Sequence, residues 1–204
     1  MVDLLTALGI AVIVILAILV LIYNGLVGKR NRVQDAWAQI DVQLKRRYDL
    51  IPNLIETVKG YMKYEKGVLT QITQLRSSIV SGSVQDKAQA NNKLSGALKS
   101  LFAVAENYPD LKASQTYQNL QEELENTENK ISFVRTSYND YVLDYNNAIQ
   151  QFPGALFAGP FGFKRQDFFQ APGEAQEPVK VDLTSDDSAG PQKPAAGKPK
   201  GHKK

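Results

Sequence analysis

Residues 4–22 read LLTALGIAVIVILAILVLI, an apolar run interrupted only by Thr6 and Gly9, and no charge stands between Asp3 and Lys29. A helix needs about 20 apolar residues to cross about 30 Å of hydrocarbon, so this stretch is long enough to span a bilayer. A cleaved signal peptide would have a basic start and a shorter apolar core. Here the start carries Asp3 instead. A buried helix of a soluble protein is rarely apolar on every face over such a length. Residues 1–28 therefore read as a single transmembrane anchor, with Tyr23 at the level of the lipid headgroups.

Charge sets the expected orientation. Lys29, Arg30 and Arg32 follow the span directly as a membrane-proximal basic collar, and Lys45, Arg46 and Arg47 come next. Nothing comparable precedes the span. The positive-inside rule then puts the N-terminus outside and the remaining chain on the cytoplasmic side of the inner membrane.

Beyond the anchor, apolar residues recur at steps of three and four. Val33, Trp37, Ile40, Leu44, Tyr48 and Ile51 form one stripe, with Arg32, Gln34, Asp35, Gln39, Asp41 and Arg46 on the other face. This is the period of an amphipathic helix, free to run straight on from the span. Pro52 disfavours helix at Ile51 and removes a backbone donor, so a kink or break is expected there. Periodicity resumes at Ile55 and continues to Ile79. VSGSV at 80–84 is a turn by composition. A third helix carries Leu94, Leu98, Leu101, Phe102 and Ala105 and stops at Asn107-Tyr108-Pro109-Asp110. The longest starts near Ser114, a candidate N-cap, and buries Tyr117, Leu120, Leu124, Ile131, Val134, Tyr138, Tyr141, Tyr145 and Ile149 before Pro153-Gly154. No strand-like alternation occurs. The fold class is all-α: one N-terminal transmembrane helix, then a four-helix bundle of up-and-down type over 29–152.

Residues 152–169, FPGALFAGPFGFKRQDFF, hold six of the eight phenylalanines, with Lys164 and Arg165 among them. This amphipathic segment, 153–170, has three available placements: packed back on the bundle (the favoured one), dipped into the bilayer interface, or docked on another protomer. From 171 to 204 the composition turns to Pro, Gly, Lys, Asp, Ser and Ala, which predicts a disordered low-complexity tail.

Little in the chain carries catalytic chemistry. There is no cysteine, and the single histidine, His202, lies in the tail. No Gly-rich phosphate loop is present. Glu122, Glu123, Glu125 and Glu128 read as a solvated helix face. No enzyme activity, cofactor or metal is expected, and the net charge of +3 does not imply specific nucleic-acid binding.

The densest constellation is KRRYDLIPNL at 45–54. Read plainly, it is a bundle corner: Arg46 pairs with Asp49 at i,i+3 and Leu50, Ile51 and Leu54 enter the core. Read functionally, Arg46, Arg47, Asp49, Pro52 and Asn53, together with Phe161, Phe163, Phe168 and Phe169, form a candidate interaction surface. The tyrosines at 138, 141 and 145 read as core, their hydroxyls served by Asn139, Asn146 and Asn147.

Four stretches occur in order after the span: YNGLVGKRNRVQDAWAQIDVQLKRRYDLIPNLIETVKGY at 23–61, ENYPDLKAS at 106–114, LQEELENTENKISFVRTSYNDYV at 120–142 and YNNAIQQFPG at 145–154. Together they closely resemble the LemA family of bacterial membrane proteins, over roughly residues 4–170. Tyr48 stands where the family commonly has histidine. The resemblance implies a four-helix cytoplasmic domain on a single-pass anchor but supplies no activity. Associations within the family with membrane organisation and with membrane metalloproteases imply a partner role. The expected function is a non-enzymatic membrane-anchored scaffold that self-associates and organises membrane or partner proteins. The expected partners are the lipid bilayer, further copies of the chain and a membrane protein. The alternative is a signalling or adaptor module that recruits a soluble partner or assists a membrane protease.

Overall fold

In the computed structural model, which describes residues 3–62 and 65–170, six helices follow one another and no strand occurs among the described residues. They are α1 (Leu4–Lys59), α2 (Lys66–Ser78), α3 (Val84–Ala105), α4 (Pro109–Lys112), α5 (Gln115–Gln150) and α6 (Gly154–Ala158). The expected tail, 171–204, lies outside the described residues.

The first helix bears on two expectations. Its apolar start, Leu4–Leu21, is exposed apart from a half-buried Leu19, and the first buried residue is Leu26. The same helix then continues without interruption to Lys59, with Pro52 inside it. The break expected at Pro52 is therefore corrected: the chain turns after Lys59. The carbonyl that Pro52 cannot satisfy, that of Tyr48 four residues earlier, accepts a hydrogen bond from Arg76 Nε of α2 at 2.8 Å. An internal proline is costly chiefly through that lost bond and a clash with the preceding turn. Here the lost bond has a substitute.

Salt bridges and hydrogen bonds give the topology. Lys87 meets Asp41 and Asn91 meets Arg47, so α3 runs with α1. Lys29 meets Asp144 while Arg47 meets Glu128, so α5 runs against it. With α2 returning from the far end, the order is up-down-up-down, as expected. The α2–α3 turn is fixed by Gly82 at φ +92, where a Cβ would come within 2.9 Å of Asp86 Cβ. Ser83 then caps α3: its Oγ accepts from Asp86 N, and Asp86 Oδ2 accepts from Ser83 N at 3.0 Å. This reciprocal pairing is a capping box.

The core has two parts. Farther from the span, Ile51, Leu54 and Val58 pack with Ile72, Leu94, Leu98, Leu101 and Leu124, so all four long helices contribute. Nearer the span, α2 and α3 give almost nothing. There Leu26, Val33, Ile40 and Leu44 pack with Ile131, Tyr138, Val142 and Tyr145 of α5. The open side of this helix pair is closed by Phe163 and Phe169, which follow α6. Tyr141 is an exception to the expected stripe. It is exposed, and Val142 takes the core position.

Candidate functional site

Between the two cores lies a polar layer. Position 47 falls on the buried stripe, between Leu44 and Ile51, and Arg47 is 2% exposed. Its Nη1 donates to Asn91 Oδ1 at 2.7 Å, to Ser95 Oγ at 3.0 Å and to Glu128 Oε2. Ser95 Oγ donates in turn to Glu128 Oε1 at 2.9 Å. Burial pulls the Arg47 guanidinium below its ordinary value, and the charge and hydrogen bond of Glu128 oppose that shift. A buried charge needs both a counterion and hydrogen bonds, and here α1, α3 and α5 each supply part of the set. Next to it, Arg46 pairs with Glu123, Lys45 with Asp49, and the Arg76 guanidinium stacks on the Tyr48 ring at 3.7 Å. KRRY at 45–48 thus ties α1 to each of the other long helices.

Several expectations change here. Arg47 is not on an exposed surface, because it fills a core position. Arg46 and Asp49 do not pair with each other; Glu123 and Lys45 are their partners. Glu123 and Glu128 do not belong to a freely solvated face, since each neutralises an arginine of α1. Arg46, Asp49, Pro52 and Asn53 are exposed as expected. A cleft of about 280 Å³ opens beside the layer, lined by Arg47, Lys99, Phe102, Leu124 and Glu125 among others. Among the described residues no group of three or more His, Asp or Glu side chains could hold a metal ion.

The second cluster lies where α1 leaves its apolar run. Tyr23 packs edge-on against Phe161 at 5.2 Å and Phe163 at 5.8 Å, and Arg30 sits over the Phe163 ring at 5.4 Å. Lys29 Nζ pairs with Asp144 at 2.6 Å, while Arg32 is exposed. The segment after α6 is held as a strap. Asn146 Nδ2 donates to Gln166 O, Gln166 N donates to Asn146 Oδ1, and Phe169 N donates to Asn139 Oδ1, each at 2.9 Å. Tyr138 donates its hydroxyl hydrogen to Asp167 O at 2.8 Å.

The Phe-rich segment is therefore divided. Phe163 and Phe169, expected on an interaction surface, are buried; Phe168 is half-buried; Phe161 stays exposed. Asn139 and Asn146, expected to serve tyrosine hydroxyls, bind the backbone of the strap. Arg76, Asn91 and Glu128 were not legible as partners of 45–52. The one available signal was that an internal proline leaves a carbonyl in need of a donor.

Known proteins share this sequence pattern. The model of the LemA family matches residues 36–183. Protein LemA of Metamycoplasma hominis is 31% identical over 135 residues, 63% of this chain and 60% of that protein. The chain thus spans less than two thirds of that relative's length. Magnetosome protein MamQ 2 of Paramagnetospirillum magneticum is 24% identical over 196 residues, 83% of this chain and 72% of that protein. Magnetosome protein MamQ of Magnetospirillum gryphiswaldense is 23% identical over 184 residues, 77% and 68% of the two chains. Together with the long apolar N-terminal helix, these likenesses mark a membrane-associated helical protein. The family match takes in the arginine layer, all of α5 and the strap, and the chain belongs to the LemA family.

Proposed function

We propose that the protein is a non-enzymatic membrane-anchored scaffold that self-associates laterally and organises membrane or partner proteins. The observation that carries this reading is α1 itself. One helix has an unburied apolar half and a half built into the bundle core. A rod of this kind fixes the height of the bundle over the bilayer and confines it to one plane, which raises its effective concentration toward other copies. The collar at Lys29, Arg30 and Arg32 supports a cytoplasmic placement in the inner membrane. Likeness to magnetosome proteins supports a role at membranes.

Crosslinking of the full-length chain in native membranes tests the scaffold. Dimers and higher species are expected, and a strictly monomeric product contradicts it. A second reading, an adaptor for a soluble partner or a membrane protease, is favoured by the Pro- and Lys-rich composition of 171–204. Deleting residues 172–204 should abolish function if the adaptor reading holds and leave it largely intact if the scaffold reading holds.

A further inference from the structure

The apolar run of α1 from Leu4 to Ile22 rises about 27 Å, close to a hydrocarbon thickness, so the lipid boundary falls near Ile22–Leu26. The chain returns to this level after α5. A Cβ on Gly154 would lie 3.6 Å from Leu26 Cδ2, and the Phe161 ring touches Tyr23. Around these contacts three large apolar side chains face outward: Phe152 at 83%, Leu156 at 62% and Phe161 at 55% exposure. Their neighbours Phe163 and Phe169 are buried, so the segment had room in the core for some of its large apolar side chains and left these three out. Exposed aromatic and aliphatic groups beside cations, at the depth of a headgroup layer, suit a lipid interface. Lys164 and Arg165 are exposed and precede Gln166, whose anchor Asn146 lies half a turn beyond Asp144, the partner of Lys29. That sets them about a turn above the boundary, at phosphate height.

We propose that residues 152–161 are a second membrane contact, with Phe152, Leu156 and Phe161 inserted in the interfacial layer of the leaflet from which α1 emerges. The proposal rests on the membrane reading of α1. A bundle held by both the span and this foot cannot tilt freely about the span, so its outer faces meet other copies in a fixed orientation.

The chain contains no cysteine, so single substitutions can be labelled cleanly. Val14→Cys, Leu156→Cys, Phe161→Cys and Phe133→Cys variants of the full-length chain would each carry bimane in phosphatidylcholine–phosphatidylglycerol vesicles. Phe133 is an exposed position on α5, about 16 Å along the helix from Asp144. Lipids brominated near the headgroup should remove emission at 156 and 161, lipids brominated deep in the chain should remove it at 14, and 133 should respond to neither. Quenching at 14 with none at 156 and 161 overturns the foot and leaves the anchor standing. A blue shift at 156 and 161 without quenching assigns the patch to a protein partner and also overturns it. Absence of quenching at all four positions removes the anchor and the foot together.

Discussion

Arg76 donates its Nε hydrogen to the backbone oxygen of Tyr48, the carbonyl that Pro52 leaves without a partner. A side chain from α2 thus completes the ladder of α1, and its guanidinium then stacks on the ring of the residue it serves. This allows a proline to stand within a continuous helix, and it makes α2 part of what keeps that helix unbroken.

That relationship predicts coupling between two positions. Arg76→Ala should cost about 1–2 kcal/mol, the range for leaving a half-buried carbonyl unpaired. In a Pro52→Ala background, residue 52 supplies its own N–H, and the cost of losing Arg76 should fall by about 1 kcal/mol. Chemical denaturation of the four full-length variants in detergent gives the cycle. Equal costs in both backgrounds would deny the substitution.

The arginine layer should behave as a buried charge set. Glu128→Leu leaves the Arg47 cation without its counterion and should destabilise by about 3 kcal/mol. Joining it to Arg47→Met removes the stranded charge and should recover most of that loss. Thermal midpoints of both variants decide the matter, and a double variant worse than the single would refute it.

Release of the strap can be read by proteolysis. Asn146→Ala removes two hydrogen bonds to the Gln166 backbone, each contributing about 1 kcal/mol. Trypsin should then cut after Lys164 and Arg165 several-fold faster than in the native chain, with sites in α3 unaffected.

Alkaline pH should weaken the bundle through its tyrosines. Burial, with Asp167 adding to it, raises Tyr138 from its ordinary value near 10 to about 12. Burial also raises Tyr117, helped by Glu106 and Glu125, and Tyr145, where Arg30 opposes it. In the unfolded chain these hydroxyls ionise first, so the native state holds protons that the unfolded state has lost. The stabilisation is complete below pH 10 and disappears as pH rises toward 12. Tyr138 alone accounts for roughly 2 kcal/mol. Tyr138→Phe should flatten the decline in the denaturation midpoint over that interval.

The long helices, their order and the unburied apolar start of α1 were legible because each follows from local periodicity: the stripe from Val33 to Ile51, the turn at 80–84 and the stop at Pro109 need no knowledge of distant residues. Pro52 was misread for the complementary reason. Its tolerance depends on Arg76, which is 24 positions away in sequence and carries no local mark. Arg47 was misread because a cation on a stripe of Leu44 and Ile51 looks like a surface residue until its hydrogen-bond partners on α3 and its counterion on α5 are placed. Phe163 and Phe169 divide from Phe161 only because α2 and α3 stop short of the lower core and leave one side of the helix pair to be filled. Such assignments are set by tertiary space, which periodicity does not encode.

The unburied apolar half of α1 and its half within the bundle form one continuous helix. Nitroxides at Val14→Cys and Val42→Cys, both exposed positions, lie 28 residues apart, which on a continuous helix is about 42 Å. Double electron–electron resonance on the doubly labelled full-length chain in vesicles should give one narrow distribution near that distance. A broad distribution, or one centred well below it, would show a joint between span and bundle and contradict the account.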